Sequence, residues 1–177
     1  MKKFYTSDHH FYHHNIIKYC KRPFNNVQEM NERMIQDWNN VVTPEDEVYY
    51  LGDFAFCRPD QAVEILDRLN GKKHITFGNH DRQLKSNTKF LQKFSWYTKD
   101  PMKITDGKYS LTLWHYRLPD FLQTRGGNFH LHLHGHEHGG GRRDMDGNIF
   151  DVGVDVFPFK PVTLEEIIAT SNRKFVQ

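Results

Sequence analysis

Three times in the first 81 residues an apolar, extended-looking run stops at a polar turn, and each turn carries an acid or an amide. Lys3 to Thr6 ends at Ser7-Asp8, Glu47 to Leu51 runs into Gly52-Asp53, and Lys73 to Phe77 delivers Gly78-Asn79-His80-Asp81. Between these runs the letters read as helix. Val27, Met30, Met34, Ile35, Trp38, Val41 and Val42 recur near 3.6-residue spacing behind Asn26 as N-cap. Pro59 opens a second helix whose Ala62, Val63, Ile65, Leu66 and Leu69 face the sheet, with Gly71 as its C′ residue. Strands alternating with helices predict a sheet of parallel strands. In such a sheet the loops after the strands gather at one edge, where open α/β sheets place their chemistry. Asp8, Asp53 and Asn79 are therefore expected at that edge.

The second half reads differently. Met102 to Trp114 alternates around Asp106-Gly107, a type I′ hairpin signal, and ends on His115. Phe129 to His134 also alternates strictly. Its Phe129, Leu131 and Leu133 share one face, while His130, His132 and His134 on the other read as polar structural residues. Gly135-His136-Glu137-His138 follows directly. Residues 82–95 read as a helix with Lys85, Lys89 and Lys93 solvated, 117–128 as a surface loop, 149–156 as a strand, and 164–171 as a last helix behind a Thr163/Glu166 capping box.

At 177 residues the chain fits one domain spanning 1–177, near the usual domain length of about 100 to 200 residues. A net charge of +2 makes no strong case for long nucleic acid or a membrane surface, and Arg142-Arg143 is too little for a basic groove. Cys20 and Cys57 are unpatterned and read as small hydrophobes in a reducing compartment. With no signal-peptide or membrane-length apolar run, the chain reads as soluble and cytoplasmic. The histidines stand apart from this background: of 12, four fall in residues 9–14 and five in 130–138, and such clustering points to metal.

In order along the chain, the polar groups at strand ends are Asp8, His10, Asp53, Asn79, His80, His115, His136 and His138. Asp8 and His10, two apart in extended backbone, face one side while His9 points away. All of these except His80 are candidate ligands. They are too many for one four-coordinate structural zinc, so one aspartate bridging two ions about 3.5 to 4 Å apart divides them better, and Asp53 is the expected bridge. Nitrogen and oxygen donors suit Mn, Fe, Zn or Ni.

The motif series D-x-H (Asp8, His10), G-D (Gly52, Asp53), G-N-H-D (Gly78 to Asp81), an isolated His115 after a strand, and G-H-x-H (Gly135, His136, His138) resembles that of the calcineurin-like metallophosphoesterases, across residues 6 to about 165. The resemblance implies a two-sheet β-sandwich flanked by helices, α/β/β/α. It implies one ion held by Asp8, His10, Asp53 and His138, and a second held by Asp53, Asn79, His115 and His136. His80 then suits a general acid for the leaving oxygen, its ring held by Asp81. The opening and closing segments look like those of small bacterial and phage members. Tyr116-Arg117 after His115 departs from the small residues of the pattern. The expected reaction is dinuclear-metal hydrolysis of a phosphodiester on a small nucleotide-like substrate; phosphomonoester hydrolysis and a non-catalytic metal-stabilised binding scaffold are the alternatives. His13 and Arg22, in the loop after the first ligand pair, are expected to grip the substrate phosphate. Asp155 reads as an aspartate that hydrogen-bonds loops.

Overall fold

Parallel pairing of the first strands sets the architecture of the computed structural model, which describes residues 1–118, 129–140 and 148–170. β1 (Lys3–Thr6) pairs with β2 (Glu47–Tyr50), β2 with β3 (Lys72–Thr76), and β3 with β4 (Trp96–Thr98) at the outer edge, all parallel. β9 (Val162–Thr163) closes the other side, antiparallel to β1. The second sheet has the order β5 (Met102–Asp106), β6 (Tyr109–Leu113), β7 (His130–His134), β8 (Ile149–Asp151), antiparallel at β5/β6 and parallel elsewhere.

Alternation along β1 and β2 splits the apolar side chains between two cores. Phe4, Val48 and Tyr50 turn toward α2 (Val27–Val41) and α3 (Pro59–Arg68), where Met30, Met34, Trp38, Ile65 and Leu66 bury against them. Tyr5, Tyr49 and Leu51 turn the other way, onto Leu111, Leu113, Leu131 and Leu133 of the second sheet. Short helices α1 (Ile16–Tyr19) and α4 (Thr88–Leu91) add Ile16 and Phe90 to the first core, and α5 (Leu164–Ala169) adds Leu164 and Ile167 to the second. The fold is thus α/β, two mixed sheets flanked by helices. Local signals start the helices as the sequence suggests: the Asn26 side chain accepts from Glu29 N–H, and Thr163 and Glu166 form a reciprocal capping box.

Several boundaries differ from expectation. The helix over 82–95 breaks into a 3₁₀ turn at Leu84–Ser86 and the four-residue α4, because Asn87 accepts from Phe90 N–H and restarts the chain as an N-cap. The strand over 149–156 stops at Asp151; Gly153 bridges to Ser7 and Val154 N–H donates to the Ser7 carbonyl, which draws the chain across to the end of β1. Gly71 (φ 87°) lies beyond the end of α3, where a Cβ would meet Val42 Cγ1 at 2.9 Å, so close approach explains it better than helix capping. In the β5/β6 hairpin only Gly107 of the two loop residues has positive φ, so the turn is not type I′, which needs both. His130, His132 and His134 do bond structural partners: Thr112 Oγ1, the Thr112 carbonyl and the Gly135 carbonyl, respectively. Most of the 117–128 loop, Arg142-Arg143 and residue 171 of the last helix lie outside the described residues. Among the described residues no helix is long and apolar enough to cross a membrane.

Candidate metal centre

Every candidate ligand sits just past a strand, and the loops are laced to one another through their main chains. Asp8 N–H donates to the Gly52 carbonyl (3.0 Å), His10 N–H to the Asp53 carbonyl (3.1 Å), and Gly135 N–H to the His115 carbonyl (3.1 Å). The glycines in the motifs let these loops touch. A Cβ on Gly78 would collide with the Asp53 carboxylate, and one on Gly135 with Ser7 and Asp8.

Asp8 and His10 converge, though not by the alternation of an extended strand. β1 ends at Thr6, and both residues then take the left-handed conformation, at φ 60° and 52°. Asp53 (58°), His136 (73°) and His138 (48°) share it, so five of the seven candidate ligands sit in backbone that residues with a Cβ rarely adopt. Such strain, roughly 1 to 3 kcal/mol at each residue, persists only where surrounding structure enforces it, and it gathers at functional sites.

The donors form two groups, Asp8/His10/His138 and Asp53/His115/His136, each with ligand atoms within 4.8 Å of one another. Asp53 lies between them. Its Oδ1 accepts His80 N–H at 2.8 Å, while Oδ2 stands 3.6 Å from His10 Nε2 and 3.4 Å from His115 Nε2. Asn79 Oδ1 is 3.1 Å from His115 Nε2. The tautomers are set from behind. His115 Nδ1 faces the Leu51 carbonyl at 2.8 Å and His138 Nδ1 faces Asp155 Oδ2 at 2.7 Å, which turns each Nε2 toward the centre. Asp8 Oδ2 accepts from Ser7 Oγ and from His136 N–H.

The residues fit a metal on an observation independent of motif. Asp8 Oδ1 and both ring nitrogens of His10 are buried without a hydrogen-bond partner, as groups awaiting an ion would be. Burial pushes Asp8 up to about 7 against the pull of His115, His138 and Ser7, and burial drives His10 well below its usual value. Burial also opposes a charge on Asp53 and on His115, but their mutual contact outweighs it, holding Asp53 at about 2 and raising His115 to about 9. The Asp and His groups could hold a metal ion.

No family model matches the chain. It is 38% identical over 177 aligned residues to the uncharacterized protein MJ1445 of Methanocaldococcus jannaschii, covering 95% of this chain and 90% of that one. The chain belongs to the MJ1445 family. It is also similar, with a TM-score of 0.72 and 26% identity over 93% of this chain and 96% of the other, to the crystal structure of AQ665, a protein of unknown function from Aquifex aeolicus.

In this MJ1445-family chain two sequence-derived roles need correction. Arg22 does not reach toward a substrate. Its guanidinium is buried and fully engaged, with Nη1 on the His9 carbonyl and Nη2 on the Asp8 carbonyl (2.7 Å each) and a bidentate pair to Asp155 at 2.8 Å. It therefore clamps the Asp8–His10 loop to the carboxylate that orients His138. Asp81 does not hold the His80 ring either. Its buried carboxylate accepts from the main-chain N–H groups of Asp53, Phe54 and Gly78 at 2.8 to 2.9 Å, fixing the spacing of two ligand loops. Burial and the nearby Asp53 raise its pKa while those donors oppose the rise.

His80 is exposed at the rim, its ring edge-on to His10 at 5.2 Å and to Phe56 at 6.0 Å. His13 is half-buried beside it, 5.5 Å from the His10 ring and 4.7 Å from Phe56, with Nδ1 unpartnered. The sequence reading missed Ser7, Phe56 and the edge-on packing of Tyr116 against His115 (4.8 Å) and His136 (5.1 Å). Only Tyr116 carried a signal, as a bulky residue directly after a candidate ligand.

Proposed function

We propose that this chain hydrolyses phosphate esters with two divalent metal ions, in the manner of the calcineurin-like metallophosphoesterases its motifs resemble, and that it acts on phosphodiesters of small, nucleotide-like compounds. The observation that carries this reading is Asp53 Oδ2, within 3.6 Å of His10 Nε2 on one side and 3.4 Å of His115 Nε2 on the other. Asp8, His10, Asp53 and His138 would hold one ion, and Asp53, Asn79, His115 and His136 the other. Manganese, iron, zinc or nickel suits these donors. Two such ions supply Lewis acidity toward phosphate oxygens and a nucleophile at neutral pH.

The chain's own groups supply position and a proton. Leu51 and Asp155 keep the Nε2 atoms of His115 and His138 turned inward. Asp81 holds the Asp53 loop against Gly78. His80, whose backbone is tied to Asp53 Oδ1, donates a proton to the leaving oxygen from the rim. Among the described residues His80 and His136 are both exposed, leaving room for a second substituent on phosphorus and favouring diesters over monoesters.

The test is hydrolysis of bis(4-nitrophenyl) phosphate and 4-nitrophenyl phosphate by protein loaded with each metal, with bound metal counted by mass spectrometry. Turnover that needs the added metal, faster on the diester, is expected. Two bound ions with no turnover of either ester would leave a metal-stabilised binding protein as the better reading.

A further inference from the structure

A cavity of about 810 Å³ opens beside the donor groups, with Asn79 and His80 among its lining residues. Nothing in the two ligand sets requires it. Its walls carry Tyr12, Phe56, Arg58 and Arg82, with the amides of Gln61 and Gln83, and among the described residues no carboxylate lines it. The space matches pockets that hold cofactor-sized ligands, of roughly 300 to 1,000 Å³, and is far more than a bare phosphate group needs.

Two side chains there stand out. Phe56 is 57% exposed, although its main chain is pinned by a hydrogen bond from its N–H to the Phe11 carbonyl at 2.8 Å. One part of its ring meets His13 and His80, and the rest is open. A rigidly presented, open aromatic face beside a polar centre is a platform for a flat ring. Arg82 is exposed and makes no ion pair among the described residues, whereas Arg58 is already paired with Asp60 at 3.2 Å. An unpaired guanidinium in a cavity without carboxylates is a site for an anion.

We infer that this cavity takes the leaving side of the substrate and that the leaving group is a nucleotide, its base stacked on Phe56 and a second anionic group held by Arg82. The inference rests on the phosphoesterase reading for the word "leaving", because His80, the proton donor in that reading, lines the cavity. The nucleotide itself is argued from the pocket. An alkyl leaving group would leave Arg82 without a partner, and a sugar phosphate would leave the Phe56 face bare. A nucleotide uses both, and Gln61 and Gln83 can each donate to and accept from the edge of a base. The phosphate-gripping arginine expected at Arg22 is thus replaced by one at position 82.

Calorimetric titration of the metal-loaded protein tests this without turnover. The probes are adenosine 5′-monophosphate, ribose 5-phosphate and adenosine 3′,5′-bisphosphate, on the wild type and on Phe56→Ala, Phe56→Trp and Arg82→Gln. Stacking on an aromatic side chain is worth roughly tenfold in affinity, so the monophosphate should bind about tenfold tighter than ribose 5-phosphate. Phe56→Ala should erase that advantage and Phe56→Trp should keep it. Arg82→Gln should weaken the bisphosphate several-fold more than the monophosphate. Affinities for adenosine 5′-monophosphate and ribose 5-phosphate within twofold of each other, or an advantage that survives Phe56→Ala, would overturn the base platform; equal losses for both nucleotides in Arg82→Gln would overturn the anion site. Turnover of bis(4-nitrophenyl) phosphate, measured alongside, separates the two readings. Turnover without the binding pattern sinks the pocket alone, and the pattern without turnover sinks the leaving-group assignment and the hydrolase with it.

Discussion

Asp8, His10 and His138 are held by a buried ion pair, whereas His115 and His136, on the far side of Asp53, are held by main-chain groups and neighbouring rings. In the first group Arg22 donates from Nη1 to the His9 carbonyl, from Nη2 to the Asp8 carbonyl and Asp155 Oδ2, and from Nε to Asp155 Oδ1, and Asp155 in turn orients His138. In the second, the Leu51 carbonyl orients His115, and His136 donates its N–H to Asp8 while its ring leans on His115 and Tyr116. A half-site built on a buried charge pair fails when either charge is lost. One built on backbone fails only if the loop moves. The two halves should therefore respond separately to mutation, except at Asp53, which they share, and at Asp8, whose carboxylate accepts the His136 N–H.

The largest effect is expected at that shared residue. Asp53→Asn removes the charge between the two groups, so at least one of two bound ions should be lost and turnover should drop to the level of the metal-free protein. Metal counting and the diester assay read this together. Wild-type metal content with normal turnover would break the bridge, and with it the division into two halves.

Next in size is His80→Ala. His80 belongs to neither group, so both ions should remain while turnover falls by roughly 10² to 10⁴, with a greater loss on esters of poorer leaving groups. A loss that is the same across a leaving-group series would exclude proton donation to the leaving oxygen.

The shared edge was legible because its signals are local. An apolar run and an acid or amide lie within a few residues at each of the first three strands, with a glycine between them at the second and third, and parallel pairing then puts them side by side. The reasons for convergence were less legible. The left-handed backbone at Asp8 and His10 is enforced by bonds to Gly52 and Asp53, more than forty positions away, and no adjacent letter announces it. Arg22 misled for a similar cause: its place in the loop after the first ligand pair suggests a phosphate-gripping residue, and its partner Asp155 is 133 positions distant. Asp81, next to His80 in sequence, faces the interior instead, because three N–H groups of the ligand loops need an acceptor there. Phe56 is one more phenylalanine among fourteen until the fold leaves it uncovered.

Asp155→Asn tests the asymmetry directly. It weakens the support behind His138 and leaves the buried Arg22 guanidinium without its counter-charge. The affinity of one ion should fall about 10- to 100-fold while the other is retained, the usual consequence of losing an outer partner of a metal-binding histidine. Stability in the presence of chelator should fall by about 3 to 5 kcal/mol, as for one partner removed from a buried pair. Stepwise metal titration and thermal unfolding measure the two effects. Equal weakening of both ions would mean that the halves are not independent.

The smallest effect is expected at His13, which the sequence grouped with Arg22 and the structure separates from it. Its ring lies beside His10 and His80, and burial lowers its pKa, which favours the neutral ring. A neutral imidazole there can donate one hydrogen bond to a substrate oxygen but contributes no charge to the ligand set. His13→Ala should leave metal content and unfolding temperature near wild type and raise KM for the diester about 2- to 10-fold, the worth of one hydrogen bond. Its kcat should change little, since His80, the proposed proton donor, and both donor groups are untouched. Loss of an ion in this variant would place His13 inside the first group and would make that group's support broader than the Arg22–Asp155 pair.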